Sequence, residues 1–280
     1  MRTIIVFAAV MSALPALAAT TAPKVTPTTI PASAIAVRSD GGYYTAGSLA
    51  DPADRGHSRV VVAAYLASGV IDRRFGNQGS IVTDPSPLSN SASSIAVAPD
   101  GKIVVGGNAA FDTQSARGGN LLVERLTVSG QLDTSFGKGG IVTTDLCAQC
   151  NFNDRVTGLV VQPDGRIVVS AYSIHGGGDT RFIVARYTGS GKLDAGFGKG
   201  GVVDSGANGA YAIALQSDGK ILAGGNDNLS VELFRYLPNG KPDTGFGVGG
   251  KVVTPFENPT TGALQGSADA ITLRPDGRLW

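Results

Sequence analysis

Apolar residues in this chain come in short bursts that alternate with small or polar residues, and the bursts return at a nearly fixed interval. Ile95 and Val97 alternate with small residues, the period-2 pattern of a half-buried strand. Pro99-Asp100-Gly101 then predicts a tight hairpin loop: Pro presets φ, Asp suits the next turn position, and Gly accepts the left-handed conformation. Lys102 to Val105 leads back through branched apolar residues, as in a strand covered on both faces, and Gly106-Gly107 is expected to end it. Leu121 to Thr127 predicts a third strand and Ser129-Gly130 a turn. Leu132 to Val142 predicts a fourth segment, kinked at Phe136-Gly137 and Gly140. No stretch shows helical periodicity.

The same grammar recurs. Asp-Gly turns fall at Asp40, Asp100, Asp164, Asp218 and Asp276, a period of roughly 54 to 64 residues. Four short antiparallel strands per unit predict an all-β fold, a β-propeller-like array of four-stranded antiparallel blades with four complete repeats and a truncated fifth. An open stack fits the same arithmetic, but it leaves two long raw edges that ring closure would remove. The fifth copy stops at Trp280, inside its second strand. The expectation is a piece of a longer array, with partial closure by the stub as the alternative. Phe75, Phe136, Phe197 and Phe246 recur once per unit and are expected to wedge between neighbours.

Several stretches together resemble the bacterial delta-60 repeat: Gln162-Pro163-Asp164-Gly165-Arg166-Ile167-Val168-Val169, Ala185-Arg186-Tyr187, and Leu193-Asp194 followed by Phe197-Gly198 and Gly200-Gly201. The resemblance covers nearly everything after the N-terminal region. It implies a propeller-like fold in an exported protein and brings no catalytic residues with it. The first copy departs from the pattern, with Ser39-Asp40-Gly41-Gly42 and Phe75-Gly76-Asn77-Gln78-Gly79, and reads as a worn terminal blade.

Residues 1–18 read as a signal peptide: Arg2, an apolar stretch from Ile4 to Ala13 too short to span a bilayer, and Ala16-Leu17-Ala18 as a small-residue cleavage site. Residues 19–34 form a Thr/Pro-rich tether, and 35–280 the repeat domain. The mature protein is expected to be secreted or periplasmic, with no membrane insertion after cleavage. Charged residues nearly cancel, at +1 overall, which argues against an electrostatic grip on nucleic acid.

Chemistry is sparse in this sequence. The hairpin turns repeat closely, whereas the loops after each second strand and the links between units all differ. In a four-stranded blade those loops and links share one face, where a rigid scaffold could present a site. The polar candidates there are Asp51, Asp54 and His57, then Asp112, then His175 and Asp179, then Asn226 and Asp227. Converging carboxylates and amides could hold a calcium ion or a sugar, but the alternating Asp-x-Asp-x-Asp-Gly loop is missing, so neither metal nor cofactor is assigned. Cys147 and Cys150 read as a local disulfide, with a free or metal-bound pair or a redox pair as alternatives. Asp133, Asp194 and Asp243 recur once per unit, as residues do when they hold a turn. The expectation is a non-catalytic binding or structural module with an extracellular protein or glycan as partner. The alternative is a propeller enzyme of the lactonase, lyase or quinoprotein-dehydrogenase class, for which two histidines are a poor supply.

Overall fold

A computed structural model of the chain describes residues 30–51, 53–54, 56–111, 119–146, 153–174, 180–226, 230–255 and 268–274. Within these residues sixteen strands form four separate antiparallel sheets of four strands each, every sheet a simple meander. The first contains β1 (Ala34–Val37), β2 (Tyr43–Ala50), β3 (Ser58–Tyr65) and β4 (Ser80–Thr83). The second contains β5 (Asn90–Val97), β6 (Ile103–Ala109), β7 (Asn120–Leu126) and β8 (Ile141–Thr144). The third contains β9 (Asn153–Val161), β10 (Ile167–Ile174), β11 (Thr180–Tyr187) and β12 (Val202–Asp204). The fourth contains β13 (Gly209–Leu215), β14 (Ile221–Asn226), β15 (Ser230–Tyr236) and β16 (Lys251–Pro255). The fold is a β-propeller.

Each core lies between two blades, which explains the unbroken apolar runs of the middle strands. Ile103 and Val105 of β6 face the first blade, packing with Tyr44, Val60 and Val62, while Val104 between them faces the third, packing with Val156 and Ile167. Val168 likewise turns to the fourth blade while Ile167 and Val169 turn to the second. A strand sandwiched this way needs apolar side chains on both faces.

Two details of the sequence reading change. The second strand does not stop at Gly106-Gly107, because β6 runs through both glycines to Ala109. Here the absence of a side chain serves packing: a Cβ on Gly106 would stand 2.6 Å from Val156 of the next blade. The fourth strand is also shorter than the segment Leu132 to Val142, since β8 begins at Ile141. Residues 133–140 form a coil of turns closed by Phe136 N–H to Asp133 O (2.9 Å) and Gly140 N–H to Phe136 O (2.8 Å).

The repeated phenylalanines do wedge between units. Phe136 and Phe197 are fully buried, and Phe75 is buried as well. Each meets a turn of the following blade at a glycine with positive φ, namely Gly130, Gly191 and Gly240 at 80°, 87° and 81°. A Cβ there would lie 2.9, 3.1 and 3.0 Å from the rings of Phe75, Phe136 and Phe197. The same joints are tied by backbone bonds from the N–H groups of Gly76, Gly137 and Gly198 to Ser129, Ser190 and Asn239 oxygens, at 2.8, 2.9 and 2.9 Å. Phe246, the fourth copy, is only half-buried.

Candidate functional site

The polar residues that recur in every unit are engaged in holding the blades. Asp133 binds Arg125 Nε at 2.8 Å and Lys102 Nζ at 3.1 Å, and its other oxygen accepts the Ser135 hydroxyl at 2.7 Å. Asp194 repeats this with Arg186 (2.9 Å) and Arg166 (3.1 Å), and Asp243 with Arg235 (2.8 Å) and Lys220 (3.3 Å). The arginines stack over the wedge phenylalanines, 4.6 Å from Phe136, 4.6 Å from Phe197 and 4.4 Å from Phe246. Arg125 also donates to Gly189 O of the next blade at 2.6 Å, and Arg186 to Pro238 O. In the first blade Ala64 replaces the arginine, and Asp72 is held by Arg74 (2.8 Å) and Arg38 (3.4 Å) instead. Those bonds, Arg74's above all, bring its carboxyl down to about 2.

Burial opposes the charged form of Asp133, but the Ser135 hydroxyl, Lys102 and Arg125 outweigh it and hold the carboxyl well below the usual range. A depressed carboxylate stabilises the fold above the ordinary carboxylate pKa and ceases to do so as pH falls through the folded value. We expect Asp133→Asn to lose about 2 kcal/mol at neutral pH, as for a hydrogen bond to a charged group. Urea melts of the variant and the parent should begin to draw together below about pH 4 and converge only as pH falls through the much lower folded value. A difference that persists undiminished in acid would contradict the ion-pair role.

On the opposite face the second turns and the links meet. Ser58 at the start of β3 bridges to Ser89 of the first link, and Asp154 N–H bonds Gly119 O at 2.7 Å. Asn208 N–H likewise bonds Asn226 O at 3.2 Å. The anchors of all four second loops, Ala50/Ser58, Ala109/Asn120, Ile174/Thr180 and Asn226/Ser230, therefore stand at this end of their strands.

Among the predicted site residues, the structure brings Asp51 and His57 together and joins to them three residues that the sequence reading missed. His57 Nε2 donates to Asp84 Oδ1 at 2.9 Å, and its Nδ1 lies 3.8 Å from Asp51 Oδ2. Arg59 binds Asp51 at 2.7 Å and approaches Asp84 at 3.5 Å, and Asn90 Nδ2 donates to Asp84 at 3.0 Å. The Ala53 N–H, followed by Arg59, keeps the Asp51 carboxyl below its usual range. Asp54 stays apart in a local turn, accepting Gly56 N–H at 2.9 Å. Asn226 is in another blade, at the end of β14. Asp112, His175, Asp179, Asp227, Cys147 and Cys150 lie outside the described residues.

This cluster fastens the first loop to the first link. The nearby Ser58 hydroxyl donates to Asn90 O at 2.7 Å and meets Ser89 at 2.9 Å, so it is directed away from His57. Among the described residues no three His, Cys, Asp or Glu side chains gather at metal-binding range. The signal for Asp84 and Asn90 was their place in a variable link, on the same face as the loop.

The innermost strands hold a second arrangement. One residue in each of β5, β9 and β13 is left unpaired by a β-bulge: Ser93, Thr157 and Tyr211. Each stands seven positions before the Asp of its hairpin, as do Ser33 in the first copy and Asp269 in the fifth. All of these line one cavity of about 210 Å³, so the same positions of five copies surround it. The fifth copy takes its place as the others do: Ala268 and Ile271 stand over Gly224, as Val156 and Leu159 stand over Gly106.

A family model described as a β-propeller domain of unknown function (DUF5122) matches residues 98–136, 162–197 and 216–246. These segments run from the Asp-Gly hairpin to the wedge phenylalanine in the second, third and fourth copies, so the likeness to that family falls on the repeated part of each blade. No curated protein matches the sequence. Among solved structures, it is similar to a protein of unknown function from Bacteroides caccae (12% identity, 74% of this chain and 56% of that one, TM-score 0.40). It is also similar to the polysaccharide lyase Uly1 (14% identity, 88% and 52% covered, TM-score 0.47). A third likeness is to a catalytically inactive virginiamycin B lyase from Staphylococcus aureus with quinupristin (16% identity, 68% and 48% covered, TM-score 0.31). The chain spans about half the length of these structures.

Proposed function

We propose that the protein is an exported, non-catalytic repeat module of the delta-60 type that binds an extracellular protein or glycan through its loop face. One observation supports this most: the recurring Asp and Arg residues are engaged in ion pairs within their blades, from which Arg125 and Arg186 reach the next blade, while the loops that differ are all anchored at one end of the strands. A scaffold of this kind separates the fixed part from the adaptable part. The His57 cluster fits the same reading, since its Nε2 proton is engaged by Asp84 and the group ties a loop in place. Export rests on the signal peptide read in residues 1–18.

The test is to present the mature protein to glycan and cell-surface protein arrays beside a variant with its four second loops shortened. Circular dichroism and a melting curve establish that the variant is folded. A signal lost on shortening is the expected result; equal signals from the two proteins would overturn the loop-face reading.

A further inference from the structure

The joints between the four blades share a wedge phenylalanine and a backbone bond, but the first of them lacks its arginine. Arg125 and Arg186 each lie over a wedge ring, pair with an aspartate and donate to a carbonyl of the next blade's turn, at Gly189 and Pro238. The first blade has Ala64 at that place, whose side chain offers no such tie. Arg74 takes over the Asp72 carboxylate, but its side chain is mostly exposed. A cavity of about 340 Å³ opens at this hairpin end of the joint, lined by Arg38, Asp72, Arg74 and Phe75 on one side and Val128 and Ser129 on the other. The second blade is the neighbour that holds the first: Ala34, Ala36 and Ile81 pack on it, while Ile35, Val37 and Val82 alternate with them and stand exposed.

The loop end of the same joint is latched. The Ser58 hydroxyl donates to Asn90 O at 2.7 Å, and Asn90 returns its N–H to Ser58 Oγ at 3.1 Å and its Nδ2 to Ser58 O at 3.0 Å. Between the two ends lies Glu124, fully buried. Val105 of β6 and Ile141 of β8 flank it, Val60 and Val62 of β3 belong to the same apolar cluster, and β4 supplies the Thr83 hydroxyl. Tyr44 of β2 shares that cluster. Among the described residues the charged groups of this joint stand at its ends, Arg38, Asp72 and Arg74 at the cavity and His57, Arg59 and Asp84 near the latch. Burial and the Thr83 hydroxyl, and none of those groups, set the ionisation of Glu124.

The geometry points to a hinge in this joint: the first blade opens from the second at the hairpin end while the Ser58–Asn90 latch keeps the loop end closed. Opening bares Phe75 and Glu124 to water and leaves the loop face in place. A carboxyl that water reaches ionises at its ordinary value, whereas burial pushes Glu124 up from 4.5 to about 7. The closed form therefore holds that proton more tightly, and opening is favoured as pH rises through about 7. The hinge does not depend on the loop-face reading.

Three matched amides report on the joints. Gly76, Gly137 and Gly198 each follow a wedge phenylalanine and donate across a joint, at 2.8, 2.9 and 2.9 Å. Their unprotected exchange rates are alike, so differences in protection measure the opening of each joint. Amide hydrogen exchange of the full chain, read by NMR from pH 5 to pH 8, is expected to find Gly76 at least about tenfold less protected than Gly137 and Gly198. That ratio should widen as pH rises, while the Asn90 amide keeps its protection. Ala64→Arg combined with Arg74→Ser, which copies Arg125 and Ser135 of the second blade, should close most of the gap. Arg125→Ala should bring Gly137 toward Gly76, and Glu124→Gln should leave the ratio constant with pH. Equal protection of the three amides, a ratio in the parent that ignores pH, or an Asn90 amide as unprotected as Gly76 would each overturn the hinge. So would an undiminished gap in the folded double variant or, should that variant not fold, an unchanged Gly137 in Arg125→Ala.

Discussion

Replacing Phe136 by alanine is expected to lower the unfolding free energy by about 3–5 kcal/mol, whereas the same change at Phe246 should cost about 1 kcal/mol. The two residues occupy the same place in the repeat, and each carries an arginine over its ring, at 4.6 and 4.4 Å. Their surroundings differ. Phe136 is fully buried against the turn at Gly191, with Arg125 reaching Gly189 O of that turn. Its removal therefore leaves a cavity in the joint between the second and third blades and loosens the arginine that rests on it. Phe246 is half-buried, so its truncation forfeits less buried surface and opens no enclosed void. Denaturant midpoints at constant m-value give the comparison, with Phe197→Ala expected to resemble Phe136→Ala. Equal losses at Phe136 and Phe246 would show that the rings act within blades and not between them.

The second large effect concerns Glu124, which has no exposed surface and accepts the Thr83 hydroxyl at 2.8 and 2.9 Å. Thr83 belongs to the first blade and Glu124 to the second, so an acid is sealed inside a joint. The equivalent positions of the other blades hold Ala63, Ala185 and Phe234, none of which ionises. Burial, opposed only in part by Thr83, pushes the Glu124 carboxyl up from 4.5 to about 7. The folded protein thus holds this proton more tightly than the unfolded chain does. The resulting stability is complete below about pH 4.5 and is lost as pH rises through about 7. The difference between the two values corresponds to about 3 kcal/mol. Glu124→Gln removes the ionisation, so the variant should be more stable than the parent above pH 7, by up to about 3 kcal/mol, and similar to it near pH 4. Parallel stability curves from pH 4 to 9 would show that the carboxyl is not confined as described.

The sequence made the hairpins and joints legible because they depend on local chemistry. A Pro-Asp-Gly turn must leave its glycine at positive φ, as Gly101 does at 82°, and a run such as Ile103-Val104-Val105 has to be covered on both faces. The wedge phenylalanines followed from recurrence. What escaped depends on partners distant in sequence. The segment from Asp133 to Gly140 looked like strand, but Asp133 gathers Arg125 and Lys102 and winds it into turns. The bulges at Ser93, Thr157 and Tyr211 are properties of a strand pair, and no single strand announces them. Asp84 meets His57 only because a link folds back against a loop 27 residues earlier. The loop face was therefore readable as a location, whereas its one described cluster and the axial ring were not.

The central claim is that the recurring residues hold the blades together and the varying ones engage partners. Asp194 is the sharpest place to ask, because it binds Arg186 and Arg166 in the middle of the array and lies away from the loop face. The decisive measurement is array binding by folded Asp194→Asn, scored against the parent at equal folded concentration. The account predicts a lower melting temperature with an unchanged binding profile. A binding profile lost while the melting temperature stays at the parent value would contradict it.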